Sequence, residues 1–303
     1  LNTIRMFLAI ANQESMQIMQ FDIKTAFLYG DLDETLFMEQ PEGFVQDERK
    51  VCKLLKSLYG LRQAPRMWNK KFDHFLKLFD LQQATIDKCL YFNTDRTLLL
   101  TIYVDDGLAA GKDSTKLHQL IEHLQRNFEL KVMDCESYLG FKVNRDHKAK
   151  TLDISQANYV ERVLTRFGMA DCNPVSTPGS MGVNFNNSEK LPTDNSFKEL
   201  VGSLLYLATC SRPDIAHAVN VASRTSEPTQ AHWLALKKIL RYLKGTKHLG
   251  LRFRWEKDAK LIGYSDSDYA NDEQTRRSTT GLCIIFGGAL IVWKCQRQPI
   301  ITL

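Results

Sequence analysis

Three aspartates have the type and position needed for phosphoryl-transfer chemistry. Asp22 closes a short strand-like run, and Asp105 and Asp106 begin the hairpin turn predicted at residues 105–107, directly after the apolar run 98–104. Clustered carboxylates repel one another and tolerate proximity best around a hard cation such as Mg²⁺, which favours carboxylates together with substrate phosphates. Two such ions can activate an attacking hydroxyl and stabilise a leaving pyrophosphate. Because aspartate and glycine are also ordinary turn residues, the same positions equally fit a strand end and a plain turn.

Helical and strand patterns alternate along the chain around these aspartates. Apolar residues at helical spacing predict helices, and short β-branched runs predict strands. The predicted helices cover residues 1–11, 54–61, 68–79, 117–128 and 228–244, and the predicted strands cover 18–23, 98–104, 138–143, 261–265, 281–286 and 290–293. Residues 168–196 are rich in Asn, Ser, Pro, Gly and Thr, which predicts a long linker.

The composition is typical of a folded protein with two or three domains. Of the 303 residues, 44% are hydrophobic and 25% are charged, which excludes a disordered chain, collagen and a coiled coil. The net charge of +5 permits a polyanionic partner without requiring one. The seven cysteines form no C-x-x-C pair, so zinc binding has no support. The apolar runs are too short to cross a bilayer, and the first residues do not read as a signal peptide, so no membrane partner is expected.

Several longer motifs occur together with the aspartates. They are FDIKTAFLYGDL (21–32), SLYGLRQAPRMW (57–68), YVDD (103–106), YLGFKV (138–143), GSLLYL (202–207), SRPDIA (211–216), RYLKGT (241–246) and YSDSDYA (264–270). In this order and spacing they resemble the reverse transcriptase of copia-type LTR retrotransposon Pol polyproteins, continuing into the start of the RNase H domain. The resemblance covers essentially the whole chain, and many independent motifs agree.

The resemblance implies a set of site residues. Asp22, Asp105 and Asp106 are expected to be catalytic and to hold two Mg²⁺ ions, with Mn²⁺ as a possible substitute. The implied substrate-binding residues are Ile23, through its backbone carbonyl, Phe27 under the nucleotide sugar, Gln63 beside the incoming nucleotide, and Tyr103 and Val104 at the primer end; the implied primer grip comprises Tyr138, Leu139, Gly140 and Phe141. From pattern alone, Phe27 fits a core aromatic equally well, and Gln63 fits a solvated loop residue.

The resemblance also implies the fold class and the domains. The expected fold is α+β: a right-hand polymerase palm with incomplete fingers (1–150), a mostly helical thumb or connection (151–258) and a partial RNase H-like sheet (259–303). Asp266 matches the first metal-binding carboxylate of an RNase H site. The resemblance places basic fingers strands before residue 1 and the later acidic RNase H ligands beyond residue 303. The chain is therefore expected to be a piece truncated at both ends, to lack RNase H activity and to polymerise weakly or not at all.

Two functions remain open at this point. The first is an RNA-directed DNA polymerase acting on an RNA template, a DNA primer and dNTPs, within a larger polyprotein and in the cytoplasmic virus-like particle of the element. The second is a silent retrotransposon remnant that at most binds nucleic acid. Lys237, Arg241 and Lys244 share one helix face and could neutralise phosphates, although a solvated face near a helix C-terminus explains them slightly better.

Overall fold

The computed structural model describes residues 1–180, 185, 188–191, 196–272 and 275–301. In these residues the chain forms seven α-helices: α1 (Asn2–Gln13), α2 (Ala64–Lys77), α3 (Ser114–Gln125), α4 (Ala157–Arg166), α5 (Ser196–Cys210), α6 (Ala216–Ala222) and α7 (Gln230–Gly245). The strands are β1 (Gln17–Ile23), β2 (Phe37–Met38), β3 (Cys52–Lys53), β4 (Gln82–Gln83), β5 (Leu90–Phe92), β6 (Leu98–Tyr103), β7 (Asp106–Gly111), β8 (Leu130–Met133), β9 (Ser137–Tyr138), β10 (Phe141–Asp146), β11 (Thr151–Ser155), β12 (Gly250–Arg254), β13 (Ile262–Ser267), β14 (Thr279–Phe286) and β15 (Ala289–Arg297).

The chain divides into two compact units. One, called the sheet unit below, comprises Glu14–Cys135. The other, called the helical unit, combines Leu1–Gln13 with Glu136–Leu303. The mixed architecture agrees with the predicted α+β class. The predicted division into functional domains at 1–150, 151–258 and 259–303 stays a prediction. The two compact units have other boundaries, because they group residues by packing and not by function.

The sheet unit is built on six antiparallel strands in the order β4-β5-β6-β7-β1-β8. Successive side chains of a strand point to opposite faces, so Phe21 and Ile23 enter the core while Asp22 between them faces the other way. The core is completed by Trp68, Phe72 and Leu76 of α2 and by Leu117, Leu120, Ile121 and Leu124 of α3. The two central strands therefore present the aspartates on the face opposite this helix-lined core.

The helix predicted at residues 54–61 is wrong. The segment runs as turns, with the Leu54 amide donating to the Leu36 carbonyl at 2.9 Å and the Ser57 amide to the Gly30 carbonyl at 3.0 Å. Leu55 is 81% exposed, so the leucine spacing does not mark a buried face. Backbone hydrogen bonds to distant residues replace those that a helix would supply.

In the helical unit, helices α4 to α7 share one hydrophobic core. Two sheets accompany it, with the strand orders β12-β11-β10-β9 and β13-β14-β15. Helix α1 packs against β11, β12 and β15 although it comes first in the chain. The buried Arg5 guanidinium donates to the carbonyls of Ile291 at 2.7 Å, Thr209 at 2.8 Å and Cys210 at 2.9 Å. Arg5 thereby ties α1 to the end of α5 and to β15.

The SRPDIA motif is explained by packing inside this unit. The Arg212 guanidinium is 1% exposed, pairs with Asp214 at 2.7 Å and donates to the Thr246 carbonyl at 3.0 Å. Ser211 Oγ donates to Gln156 Oε1 at 2.7 Å, and the Tyr242 hydroxyl donates to Asp214 at 2.8 Å. The motif thus fastens α4, the end of α5 and α7 around a short 3-10 helix at Pro213–Ile215.

The other predicted helices and strands are confirmed within a few residues, with one further change. The strand predicted at 138–143 is divided into β9 and β10 by a turn at Leu139 and Gly140. The predicted linker 168–196 lies partly outside the described residues, at positions 181–184, 186–187 and 192–195. Among the helices of the described ranges, none is long and apolar enough to cross a membrane.

Candidate active site

Asp22 and Asp106 lie side by side on neighbouring antiparallel strands. Asp22 of β1 pairs with Asp106 of β7, and Asp106 pairs in turn with Tyr103 of β6. Directly paired residues point their side chains to the same face of a sheet. The Ile23 amide donates to the Asp105 carbonyl at 2.9 Å, which joins the hairpin tip to the end of β1. The sheet therefore brings all three predicted aspartates to one end of its central strands.

The hairpin turn consists of Val104 and Asp105. The sequence placed this turn at 105–107, which is wrong by one residue, because Asp106 and Gly107 already belong to β7. Val104 has a φ of +62°, in the left-handed region that a β-branched residue rarely adopts. A positive φ at the first of two turn residues is the pattern of a type II′ turn, where glycine normally stands. The turn that carries Asp105 is therefore strained.

Gly107, which follows the aspartates, makes room for a neighbouring side chain and is not part of the turn. Gly107 pairs with Phe21, and a Cβ atom on Gly107 would overlap the Phe21 ring. Any larger residue would displace this ring, which directly precedes Asp22. Gly107 thus permits the close approach of β1 and β7 that aligns Asp22 with Asp106.

The three carboxylates are half-buried and interact electrostatically. Burial, and then the negative charges of Asp105 and Asp22, raise the pKa of Asp106. Repulsion of this kind is relieved when a proton or a cation joins the group. The site is therefore electrostatically prepared to receive positive charge.

The carboxylate donors fit the open binding mode of Mg²⁺. This ion is usually held by one or two carboxylates and completed by water and substrate phosphates, not by a closed cage of side chains. Within the ranges that the structure describes, no group of three or more His, Cys, Asp or Glu side chains is arranged to hold a metal ion by itself. Asp22, Asp105 and Asp106 could therefore supply only part of a coordination shell.

Helix α2 reaches the turn through Trp68. The indole Nε1 donates to the Val104 carbonyl at 2.6 Å, and the side chain is 4% exposed. Its ring packs against Tyr29, Phe72 and Phe128. A buried indole N–H needs an acceptor, and here the acceptor belongs to the residue before Asp105.

Phe27 is held by the segment that was wrongly predicted as a helix. The Ser57 hydroxyl donates to the Phe27 carbonyl, and the Tyr59 ring lies 4.8 Å from the Phe27 ring between centroids. Phe27 is half-buried and also packs against the core of the sheet unit, so both sequence interpretations of this residue remain open. Gln63 stands just before α2 and donates to Glu34 Oε1 at 2.7 Å.

The remaining predicted residues of the sheet unit differ in exposure. Tyr103 is 59% exposed and Val104 is 38% exposed, so both are open to a ligand. The Ile23 side chain is fully buried in the core, which leaves only its backbone for binding.

The predicted primer grip lies in the helical unit. Tyr138 and Phe141 are each 1% exposed and pair across the β9–β10 hairpin. Leu139 and Gly140 form its turn, with φ of +45° and +83°. The Tyr206 hydroxyl of α5 donates to the Leu139 carbonyl at 3.3 Å. Only the turn is therefore placed to contact a ligand, while Tyr138 and Phe141 anchor it.

The predicted cationic face of α7 makes specific contacts with the chain itself. Arg241 Nε donates to the Asn173 carbonyl at 2.7 Å, and Lys244 Nζ donates to the Ala170 carbonyl. Lys237 Nζ lies 5.5 Å from the centre of the Trp233 ring. The contacts of Arg241 and Lys244 attach the segment after α4 to α7 and occupy N–H donors that a phosphate would otherwise use. Asp266 lies exposed on β13, paired with Gly281.

Sequence analysis gave no role at the site to Trp68, Tyr59 or Tyr206. Trp68 is the last residue of the motif 57–68 and the first of the apolar stripe that predicts the helix 68–79. Its signal was a polar N–H within that stripe, since a buried indole needs an acceptor. For Tyr59 and Tyr206 the available signal was their position inside the motifs 57–68 and 202–207.

Comparison with known families gives a match over more than half of the chain. Residues 1–181 match the family model described as "Reverse transcriptase (RNA-dependent DNA polymerase)". The "Retrovirus-related Pol polyprotein from transposon TNT 1-94" of Nicotiana tabacum is 41% identical over 100% of this chain. The corresponding polyprotein from transposon RE1 of Arabidopsis thaliana is 36% identical over 98% of this chain.

The matched proteins differ greatly in length. The chain spans 24% of the tobacco polyprotein and 20% of the RE1 polyprotein. An uncharacterized mitochondrial protein of Arabidopsis thaliana is 40% identical over 68% of this chain, and the match covers 85% of that protein. Similarity to this chain therefore occurs both inside long polyproteins and in a much shorter protein.

Proposed function

The chain belongs to the reverse transcriptase family of copia-type retrotransposon Pol polyproteins, and from this premise we propose that it is an RNA-directed DNA polymerase acting at Asp22, Asp105 and Asp106. The observation that carries the proposal is the cross-strand pairing of Asp22 with Asp106, with Asp105 in the adjoining turn.

In this proposal the aspartates bind two Mg²⁺ ions together with the phosphates of a dNTP. Mg²⁺ held by these aspartates would supply activation of the primer 3′-hydroxyl and charge neutralisation on the departing pyrophosphate. The aspartates fix that positive charge at the end of β1 and β7. Tyr103 and Val104 are exposed beside it, where they can contact the primer terminus.

The proposal assigns the other predicted residues to binding and selection. Phe27 closes the space beneath the sugar, so that a ribose 2′-hydroxyl clashes, and Gln63 flanks the incoming nucleotide. The turn at Leu139 and Gly140 contacts the primer strand. Template RNA, DNA primer and dNTPs are the proposed substrates, the sheet around the aspartates is the proposed palm, and β13 to β15 are the proposed RNase H-like sheet.

Primer extension on an RNA template tests the proposal. The purified chain is incubated with dNTPs and Mg²⁺, alongside Asp105→Asn and the matched variant Asp95→Asn. Asp95 is an exposed aspartate in the turn between β5 and β6. We expect extension by the wild type and Asp95→Asn, and a loss of about a hundredfold or more in Asp105→Asn, because a lost electrostatic group of this kind usually lowers the rate by that factor.

The alternative function predicts a different result. A silent remnant would bind primer–template in a salt-dependent manner and extend nothing, even when folded. Circular dichroism and a cooperative unfolding transition establish folding of each preparation. Extension that survives in Asp105→Asn would reject the assignment of the site.

A further inference from the structure

The turn that carries Asp105 is held at two consecutive carbonyls. The Ile23 amide donates to the Asp105 carbonyl at 2.9 Å, and Trp68 Nε1 donates to the Val104 carbonyl at 2.6 Å. The first bond comes from β1, inside the sheet, and the second comes from α2, outside it. The tip of the hairpin is therefore attached to two different elements of the sheet unit.

The conformation of Val104 makes such attachment necessary. Its φ of +62° is disfavoured for a β-branched residue, and a backbone in this region persists only when its surroundings fix it. Val104 is 38% exposed, so the packing of its side chain supplies only part of the restraint. Hydrogen bonds to the backbone of the turn supply another part.

Trp68 has the rigidity that this restraint requires. Its ring centre lies 5.2 Å from that of Phe72, 5.3 Å from that of Phe128 and 6.1 Å from that of Tyr29. Rings packed in this way have few alternative rotamers. The Nε1 donor is consequently fixed relative to α2, and it fixes the Val104 carbonyl in turn.

We propose that Trp68 is a positioning residue that holds the Val104–Asp105 turn in the strained conformation needed to present Asp105 next to the Asp22–Asp106 pair. The consequence for catalysis rests on the proposed function, whereas the effect on the turn concerns the chain alone. A competing explanation is that the bond merely satisfies a buried indole. In that case the half-exposed turn would keep its conformation after the N–H is removed.

Amide hydrogen exchange of the ligand-free chain separates these explanations. The variant Trp68→Phe keeps an aromatic ring and loses the donor. Phe72→Leu loosens the same aromatic cluster without touching the turn, and Trp293→Phe removes an equivalent indole bond, from Trp293 to the Ala208 carbonyl at 2.7 Å, in the helical unit. The quantity compared is the exchange rate of the Ile23 amide divided by that of the α3 amides, which cancels any general loss of stability.

We expect this ratio to rise about threefold to tenfold in Trp68→Phe, which is the equilibrium equivalent of one lost hydrogen bond. It should rise less in Phe72→Leu, which loosens the packing around Trp68 but keeps the donor, and it should remain unchanged in Trp293→Phe. An unchanged ratio in Trp68→Phe overturns the inference, and so does an equal rise in Phe72→Leu.

Single-nucleotide extension then tests the consequence for catalysis. We expect Trp68→Phe to lower the maximal rate about tenfold while the dissociation constant for primer–template stays the same, and Trp293→Phe to change neither. A raised exchange ratio with an unchanged rate overturns the positioning role. A raised ratio in a protein whose wild type does not polymerise supports the attachment of the turn and rejects the proposed function instead.

Discussion

At the scale of single residues, the contact between Tyr59 and Phe27 bears on sugar selection. The Tyr59 ring is 54% exposed and lies against Phe27, so it restrains that ring without being part of the core. In the proposed function Phe27 excludes ribonucleotides by steric contact. Loosening its neighbour should weaken that exclusion without unfolding the protein.

We therefore expect Tyr59→Leu to raise the ratio of ribonucleotide to deoxynucleotide incorporation about threefold to tenfold, because a modest change in packing alters selectivity by about that factor. Phe27→Ala should raise the ratio further. Single-nucleotide extension with each dNTP and its ribonucleotide measures the ratio. Tyr269→Leu, at a tyrosine that is 76% exposed in the helical unit, is the control. If only Phe27→Ala changes the ratio, Tyr59 has no part in selection; if neither does, Phe27 is a core aromatic.

The residues of the site were predictable to different degrees. The aspartates could be found because their types and motif order are visible in the sequence. The turn was misplaced by one residue because Asp-Gly usually indicates a turn, whereas Gly107 is needed under Phe21. The Trp68 bond to Val104 joins residues 36 positions apart, and no local pattern encodes that distance.

At the scale of elements, the β9–β10 hairpin depends on helix α5. Gly140 has a φ of +83°, and a Cβ atom there would lie 2.7 Å from the Tyr206 hydroxyl oxygen. The Tyr206 ring packs edge to face against Tyr159 of α4, with 4.9 Å between the ring centroids. This contact limits how far the Tyr206 side chain can move away from Gly140. The turn proposed to contact the primer is thus sterically matched to α5.

A double-mutant cycle measures this match. Gly140→Ala should lower the free energy of unfolding by about 1–2 kcal/mol, because alanine is strained at positive φ and meets the Tyr206 oxygen. Tyr206→Phe removes that oxygen, so the double variant should be about 0.5–1 kcal/mol more stable than the sum of the single changes implies. Urea unfolding of the four proteins gives the coupling. Additive free energies would show that backbone strain alone accounts for the effect.

Elements with a one-sided apolar pattern and caps were predictable, and the 54–61 segment was not. Helix α3 begins after Asp113, whose side chain accepts from the Thr115 amide at 2.8 Å, and its leucines face the core. The leucines of 54–61 have similar spacing. In this segment, however, the Ser57 amide donates to the Gly30 carbonyl and the Ser57 hydroxyl donates to the Phe27 carbonyl. Tertiary hydrogen bonds therefore outweighed the pattern.

At the scale of the whole molecule, the partly buried ion cluster around Asp272 should make the free energy of unfolding depend on pH. Asp272 accepts from Arg297 Nη1 at 2.9 Å, from Arg224 Nη1 at 3.5 Å and from the Thr275 amide at 2.9 Å. Burial alone would raise the pKa of Asp272, but the hydrogen bonds from Thr275 and Arg297 outweigh it and lower the pKa to about 2. The folded protein therefore holds this proton more weakly than the unfolded chain does.

A carboxyl whose pKa is lowered by folding stabilises the protein above its unfolded pKa, near 4, and loses that contribution as the pH falls through about 2. Asp272→Asn should therefore lower the free energy of unfolding by about 2 kcal/mol at pH 6. The difference from wild type should shrink steadily between about pH 4 and pH 2.5. Urea unfolding at several pH values checks this expectation. A difference that stays constant over that range would contradict the role of the Asp272 charge.

The sequence predicted the mixed class of the molecule but not its grouping into units. Motif order suggests three consecutive segments, because a linear pattern assigns neighbours along the chain to one domain. The structure instead groups helix α1 with residues from Glu136 onward. Contacts such as that of Arg5 with Ile291 join residues 286 positions apart, and no local sequence pattern indicates them.

The packing of α1 against β15 has a consequence for synthesis on the ribosome. All residues of the sheet unit have left the ribosome once residue 135 has emerged. The Ile291 carbonyl, to which Arg5 donates a hydrogen bond, is synthesised 286 residues after Arg5. At about 5–20 residues per second this delay is roughly 15–60 s. Throughout it, the apolar stripe of α1 lacks its β15 contacts and is open to chaperones or to aggregation. Among the elements described above, helix α1 is translated first and is one of the last to complete its packing.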